Sequence, residues 1–327
     1  MDNGIVYYLD PIIFDLGPLQ LRYYGIIFAA MLYIGFILWR RQMLRGGYSS
    51  ELADRYLIWG VIAVLVGSRL GHCLFYEPEK YLSNPVEILY FWKGGLASHG
   101  ATIGLVVAML GFSIKYKLRF LEVLDRFSMS AAVGAAAVRL GNFFNSEIVG
   151  RVSDVPWAIK FLRHDCWRLK LPGACDILNL DDPEAHSKWD YIVQNVPARH
   201  PSQLYEFALG MFVLLTLYLT DRFAGREKRP LGLMAGMFLA VYFLGRFFVE
   251  FVKEYQTELQ EAEFLTMGQY LSIIPFAIGV GLVGWALIRR KRTDEGREEL
   301  LARAAFSGGE APKSEIDTRK KKRSKKK

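Results

Sequence analysis

Apolar residues in this chain come in long runs, not in the alternating or every-third-residue stripes of a soluble protein. From Gly17 to Trp39 the chain is apolar apart from Gln20 and Arg22 at its start, and Met267–Ile288 contains no charged residue. A bilayer-spanning helix needs about 20 predominantly apolar residues, and a globular core does not require uncharged runs of that length. Seven spans are predicted, near 19–39, 56–76, 95–114, 126–146, 203–220, 231–252 and 267–288. The expected fold class is an all-α integral membrane protein with about seven transmembrane helices.

The segments between the spans give an orientation. RRQMLRGGYSSELADR follows the first span, KYKLR the third, DRFAGREKRP the fifth and RRKR the seventh. These arginine- and lysine-rich segments fall on one side, and the positive-inside bias makes that side cytoplasmic. The N-terminus is then outside and the C-terminus cytoplasmic. The segment at 147–200 is external, far longer than a linking loop requires, and rich enough in aromatics to form a small cap. Residues 1–290 read as one membrane domain carrying that cap. No internal repeat of the kind many transporters show is visible.

Composition adds one correction to this picture. The net charge of +8 suggests a basic protein, but 15 of the 41 basic and only 7 of the 33 acidic residues lie from Arg289 onward. The remainder is balanced, so the basicity belongs to residues 291–327. That lysine-rich tail is expected to be a solvated, disordered cytoplasmic extension, with no nucleic-acid partner. The N-terminal MDNGIVYYLDP lacks the basic start and small-residue cleavage site of a secretory signal, so the first span is expected to remain as a helix. Cys73, Cys166 and Cys175 form no metal-binding spacing. A Cys166–Cys175 disulfide is possible if their loop faces an oxidising space.

Several charges nevertheless fall inside the spans. At about 1.5 Å per helical residue, Arg69 and Arg139 lie about 20 Å and Arg246 about 22 Å from the cytoplasmic ends of their spans. His99 lies just inside the outer end of the third span, and Tyr24 is placed similarly in the first. A charged arginine in hydrocarbon costs about 2.5–3.5 kcal/mol on insertion scales, so each must face a partner or a wet cavity. Arg139 and Asn142 share a helix face, and Tyr242, Arg246 and Glu250 form a stripe at spacing four. Internal pairing of Arg139 with Glu147 and of Arg246 with Glu250 would satisfy these charges. A shared chamber near the outer leaflet would satisfy them too. Guanidinium groups grip phosphate bidentately, so such a chamber suits a phospholipid headgroup.

These residues carry a resemblance. RLGNFFNSEIVGR, beginning at Arg139, is similar to the prolipoprotein diacylglyceryl transferase signature, close to GRxGNFxNxExxGR. LRYYG at 21–25, GGLASHG at 94–100, RHPSQLYE at 199–206, GRFFVEF at 245–251 and TMGQYLS at 266–272 resemble further blocks of that family, in family order. Departures are Ala101 after the histidine motif, Ser146 where the family usually has glycine, His72 where tyrosine is usual, and the basic tail.

The resemblance implies a seven-helix enzyme of the bacterial inner membrane that uses no metal or cofactor. Such an enzyme moves the diacylglyceryl group of phosphatidylglycerol to the lipobox cysteine thiol of a preprolipoprotein signal peptide. A thioether forms and glycerol phosphate leaves. The substrate supplies the nucleophile, and the thiolate is the reacting form, so a base is needed. His99 is the first candidate. Arg139 and Arg246 are expected to hold the phosphate, Asn142 and Tyr24 to donate to it, and Glu147 and Glu250 to orient the arginines or accept from glycerol hydroxyls. Tyr242 completes the Arg246 stripe, and Gly150 allows close backbone approach. Gln203 and Glu206 share a face at the start of the fifth span, either bracing the cavity or taking part in it. The alternative from another class is a phospholipid transporter or flippase with an arginine-lined headgroup site. A serine protease built on Ser68 and His72 lacks the accompanying motif.

Overall fold

The computed structural model describes residues 4–17, 20–90, 95, 97–168, 189, 191–255, 264–290, 292–295 and 298, with the backbone alone at 166–168. The Cys166–Cys175 pairing and most of the basic tail fall outside the described residues. The chain begins with strands β1 (Ile5–Tyr7), β2 (Ile12–Asp15) and β3 (Gln20–Arg22), then α1 (Tyr23–Arg45), α2 (Ser50–Phe75) and α3 (Pro78–Ser83). A 3-10 turn (Pro85–Leu89) leads to α4 (Ser98–Lys115) and α5 (Phe120–Phe144). Then come β4 (Ile159–Phe161), α6 (Leu162–Arg168), α7 (Ser202–Phe223), α8 (Leu233–Val249) and α9 (Met267–Arg289).

Among the described residues, six helices are long and apolar enough to cross a membrane: α1, α2, α4, α7, α8 continued to Val252, and α9. Their outward faces carry large apolar side chains, such as Tyr33, Ile34 and Ile37 on α1 and Ile58, Ile62 and Val66 on α2. The protein is therefore a multi-pass α-helical membrane protein. The remaining long helix, α5, has 25 residues, but Glu122, Asp125, Arg126 and Arg139 depress its hydropathy. The first helix starts at Tyr23 instead of residue 19 because Gln20–Arg22 pairs with β2 in an antiparallel hairpin. Strands of three or four residues are too short for an alternating pattern to register.

The chain folds as two compact units interleaved in sequence. One comprises Phe36–Ser128, Asp221–Ala235 and the segment beginning at Trp285; the other comprises the chain up to Gly35, Met129–Thr220 and Gly236–Gly284. In the first, α2 and α4 cross on glycines repeated at spacing four, Gly67 and Gly71 against Gly100 and Gly104. A methyl group built on Gly100 would lie 2.1 Å from the Gly67 carbonyl oxygen, and one on Gly104 2.4 Å from that of Ala63. Lipid tails are as apolar as leucine, so such helices associate through close backbone packing. The same unit buries an ionic network. Arg126 donates to Glu122 (2.7 Å) and Glu227 (3.0 Å), and Arg45 to Asp221 (2.6 Å) and Glu227 (2.8 Å). Asp125 accepts from the N–H groups of Gly232 (2.7 Å) and Ala235 (2.9 Å), capping the first turn of α8 from another helix. Past α9, Thr293 is buried and bonds the Arg229 carbonyl through its N–H and hydroxyl.

The second unit joins the N-terminus to the segment after α5. β1 runs parallel to β4, with Ile5 opposite Ile159 and Tyr7 opposite Phe161. Val149, Ile159 and Phe161 pack with Tyr7, Phe143 and Leu204 into a small core. Arg199 fixes the module, binding Asp165 through two bonds (2.8 and 2.7 Å) and Glu254 at 3.1 Å. Burial alone would lower the basicity of Arg199, but these two carboxylates hold it above its ordinary value. Between α5 and this module, Ser146 and Ile148 adopt left-handed backbone angles, with φ of 54° and 55°. Such angles cost an L-residue about 1 kcal/mol or more, and a glycine at position 146 would relieve the first of them.

Three outcomes follow from this packing. Gly100→Leu is expected to abolish the folded, monodisperse protein in detergent, because its side chain has no room beside Gly67. Gly281→Ala, where nothing lies within 4 Å, should shift stability by no more than about 1 kcal/mol. Ser146→Gly should raise the thermal midpoint, gaining about 1 kcal/mol. Size-exclusion profiles and thermal melts of the purified variants check all three.

Candidate functional site

The site lies in the second unit and grows from the last turns of α5. Arg139 and Asn142 occupy one face there, one turn apart, with Asn142 buried. Between them Gly141 leaves room for the Tyr24 ring, since a methyl at this position would come within 2.6 Å of it. Tyr24 is thereby held within electrostatic reach of both Arg139 and Glu147. Tyr24, Phe28, Met31, Val138 and Gly141 are among the residues lining a shallow apolar groove between α1 and α5.

The first turn of α7 is bolted onto the strained loop that follows α5. Ser202 donates its hydroxyl to the Ile148 carbonyl (3.0 Å), and Gln203 donates its amide to the Glu147 carbonyl (2.7 Å). Those bonds fix the register of α7 and aim Glu206 inward, where it is only 1% exposed. Three cations meet this carboxylate. Arg139 Nε lies 3.0 Å from one oxygen; Arg246 Nη1 and Lys253 Nζ lie 3.7 and 4.0 Å from the other. Neither Glu206 oxygen receives a well-aligned hydrogen bond, so the contacts are ionic and loosely directed. Lys253 also reaches Glu250 at 3.1 Å. Tyr242, Glu206 and Glu250 all act electrostatically on Arg246, which keeps the stripe read from α8 on one side of the site.

Close backbone approach completes the enclosure. Gly150 is wedged between two other segments, its N–H donating to the His200 carbonyl at 3.0 Å, and a methyl on it would meet that oxygen at 2.4 Å. The next residue, Arg151, bonds the Val252 carbonyl through its N–H at 2.8 Å and the Lys253 carbonyl through Nε at 3.0 Å. Glu250 packs its carboxylate against Gly268, where a methyl would come within 2.3 Å.

The unit thus brings together Tyr24, Arg139, Asn142, Glu147, Gly150, Tyr242, Arg246 and Glu250. The pairing within it differs from the one that sequence proximity suggests. Arg139 pairs with Glu206, not Glu147, whose carboxylate instead accepts from the Asn145 amide at 3.3 Å. Arg69 belongs to the other unit and has a structural task. Its guanidinium donates to the carbonyls of Ile88 (2.9 Å), Glu87 (2.6 Å) and Gly95 (3.3 Å) and lies over the Tyr81 ring. It therefore holds the chain leading into α4, as does the Ala97 N–H bonded to the Ser68 carbonyl at 2.9 Å. His99 is the second residue of α4, exposed on its first turn. Glu206 and Lys253 complete the charge cluster. Glu206 could be suspected from its place in RHPSQLYE, whereas Lys253, just past the apolar span, carries no pattern that marks it.

The geometry gathers cations around a buried carboxylate, beside an apolar groove, with glycines where backbones must touch. A family model described as prolipoprotein diacylglyceryl transferase matches residues 11–285. The phosphatidylglycerol–prolipoprotein diacylglyceryl transferase of Nitrosomonas europaea is 38% identical over 285 residues, covering 85% of this chain and 90% of that protein. Those of Pseudoalteromonas atlantica and Cupriavidus pinatubonensis are 36% and 37% identical, covering 88% of this chain and 93% and 95% of their own lengths. With a match of this extent, running through every segment that builds the charge cluster, the chain belongs to the prolipoprotein diacylglyceryl transferase family.

Proposed function

We infer that this membrane protein transfers the diacylglyceryl group of phosphatidylglycerol to a prolipoprotein, at the lipobox cysteine of its signal peptide. The observation that carries this reading is the convergence of Arg139, Arg246 and Lys253 on Glu206. Arg139, Arg246 and Lys253 together supply the cationic donors that a phosphodiester needs. Apolar side chains of α1 and α5, among them Phe28, Met31 and Val138, line the chain beside Gly141, which lies between Arg139 and Asn142.

In the reaction the substrate thiol loses its proton, and the thiolate sulfur attacks the glyceryl carbon that bears the phosphate. The S–C bond forms as the C–O bond breaks, and the bonding pair leaves on the phosphate oxygen. Arg139 and Arg246 stabilise that developing charge in a site poor in water. Asn142 and Tyr24 donate to the phosphate oxygens, and Glu147 and Glu250 orient the polar groups around them. His99 accepts the thiol proton. α5 serves as a seventh crossing, its charges satisfied inside the protein, and the 147–200 segment forms a cap on the outer face of the bacterial inner membrane. The N-terminus is outside and the C-terminus cytoplasmic. Residues 1–290 form the catalytic membrane domain, and residues 291–327 a basic tail.

The purified protein, given phosphatidylglycerol and a lipobox peptide, should add a diacylglyceryl mass to the peptide cysteine. Lipid crossing a vesicle membrane without a peptide adduct would point to a transporter and sink the assignment. Arg139→Ala should lower turnover by about 10²-fold or more, and Arg139→Lys should recover little, because a point charge does not replace a fork. Full activity in Arg139→Ala would remove the phosphate role. A neutral base makes wild-type kcat/KM fall toward acid pH. His99→Ala should lower activity and flatten that limb, and an unchanged pH profile in the variant would assign the proton to another group.

A further inference from the structure

Lys253 is a buried lysine, only 5% exposed, whose carboxylate partners also serve Arg139 and Arg246. Its backbone is anchored. Lys253 forms an isolated antiparallel bridge with Gly150, its carbonyl accepts from Arg151 Nε, and its N–H donates to the Glu250 carbonyl. The ammonium group donates a hydrogen bond to one carboxylate and only faces the other. It lies 3.1 Å from Glu250 and 4.0 Å from Glu206, the latter beyond hydrogen-bond length. Of the three cations that share Glu206, Arg139 is the closest and Lys253 the most distant.

We propose that Lys253 binds the leaving group, taking up the second negative charge that the phosphate acquires as the glyceryl C–O bond breaks. This rests on the transferase reading above. Phosphatidylglycerol enters as a phosphodiester with one charge. Attack by the thiolate forms the S–C bond and leaves the bonding pair on the phosphate oxygen, so the departing glycerol phosphate is a monoester dianion. A phosphate monoester has its second pKa near about 6, so near neutral pH the extra charge persists on the product. That charge is absent in the bound donor, and a group that meets it lowers the barrier without tightening donor binding. A lysine suits the task. Its compact ammonium turns about a flexible stem toward a charge that grows at one oxygen, whereas guanidinium forks are matched to a planar pair already present. The loose ion pair with Glu206 leaves that rotation available, and the anchored backbone keeps the ammonium at the site.

The test uses full-length protein in mixed micelles with phosphatidylglycerol and a lipobox peptide. Two inhibitors serve as probes, glycerol 1-phosphate (a monoester) and glycerophosphoglycerol (a diester). Lys253→Met should lower kcat about tenfold or more, the effect of one lost charge-assisted hydrogen bond. Its KM for phosphatidylglycerol should stay within about twofold. Inhibition by glycerol 1-phosphate should weaken about tenfold while inhibition by the diester is unchanged. Lys253→Arg should restore most of both effects. Equal weakening toward both inhibitors, or a normal kcat, overturns the proposal and leaves Lys253 as a structural partner of Glu250. If thermal melts show the methionine variant unfolded, Lys253→Gln, which keeps a donor for Glu250, gives the same readouts. Failure of the wild-type protein to form any thioether would instead defeat the transferase reading itself.

Discussion

The structure depends on a carboxylate held where water is scarce. Glu206 is buried, and an unpaired charge in such a place is costly unless cations come to it. Much of the local architecture serves that demand. Ser202 and Gln203 lock the first turn of α7 to the carbonyls of residues 147 and 148, which sets the direction of Glu206. The bridge between Gly150 and Lys253 brings a lysine back from the end of α8. Gly141 and Gly268 concede space to Tyr24 and Glu250. The left-handed angles at Ser146 and Ile148 are the strain that accompanies so tight a turn beside the site.

The helices were legible in the sequence because hydrocarbon leaves the chain few options. A backbone without water must bond to itself, so every long apolar run has to be a helix. The span predicted near 126–146 begins earlier, at Phe120, because the first turns of α5 carry Glu122, Asp125 and Arg126, which are satisfied by one another and by residues far along the chain. Hydropathy registers the charges and not their partners. The short strands escaped for a different reason. β1 and β4 are separated by some 150 residues of chain, and nothing local in IVY or IKF announces the pairing.

The site was legible as a set of residue types and not as a set of contacts. The energetic cost of arginine in a membrane singled out Arg139 and Arg246, which both approach Glu206. It also singled out Arg69, whose guanidinium is spent on the carbonyls of residues 87, 88 and 95. A buried arginine satisfied by backbone oxygens and one satisfied by a carboxylate look alike in sequence. For partners, sequence spacing offered Glu147 to Arg139, because the two share the signature. Tertiary approach of α7 supplied Glu206 instead, a choice decided by helix packing that no local pattern encodes. Lys253 was hidden more completely, since a lysine just past an apolar span ordinarily marks a membrane boundary.

A site for an anion inside a membrane faces opposite demands. Empty, it must not leave cations bare; occupied, it must give them up. Strong bidentate pairs would meet the first demand and defeat the second, as Arg199 with Asp165 illustrates at 2.7 and 2.8 Å, in a place where nothing has to exchange. Around Glu206 the separations open from 3.0 to 4.0 Å, and no donor is well aligned with either oxygen. Coulomb attraction falls only as the inverse of distance, so these looser pairs retain most of their electrostatic stabilisation. Hydrogen-bond strength depends steeply on geometry, so the directional part remains available to the phosphate that the proposed reaction would bring there. The contrast between the two arginine clusters of one unit thus fits the proposed function: a fastening at Asp165, and at Glu206 cations held loosely enough to be given up.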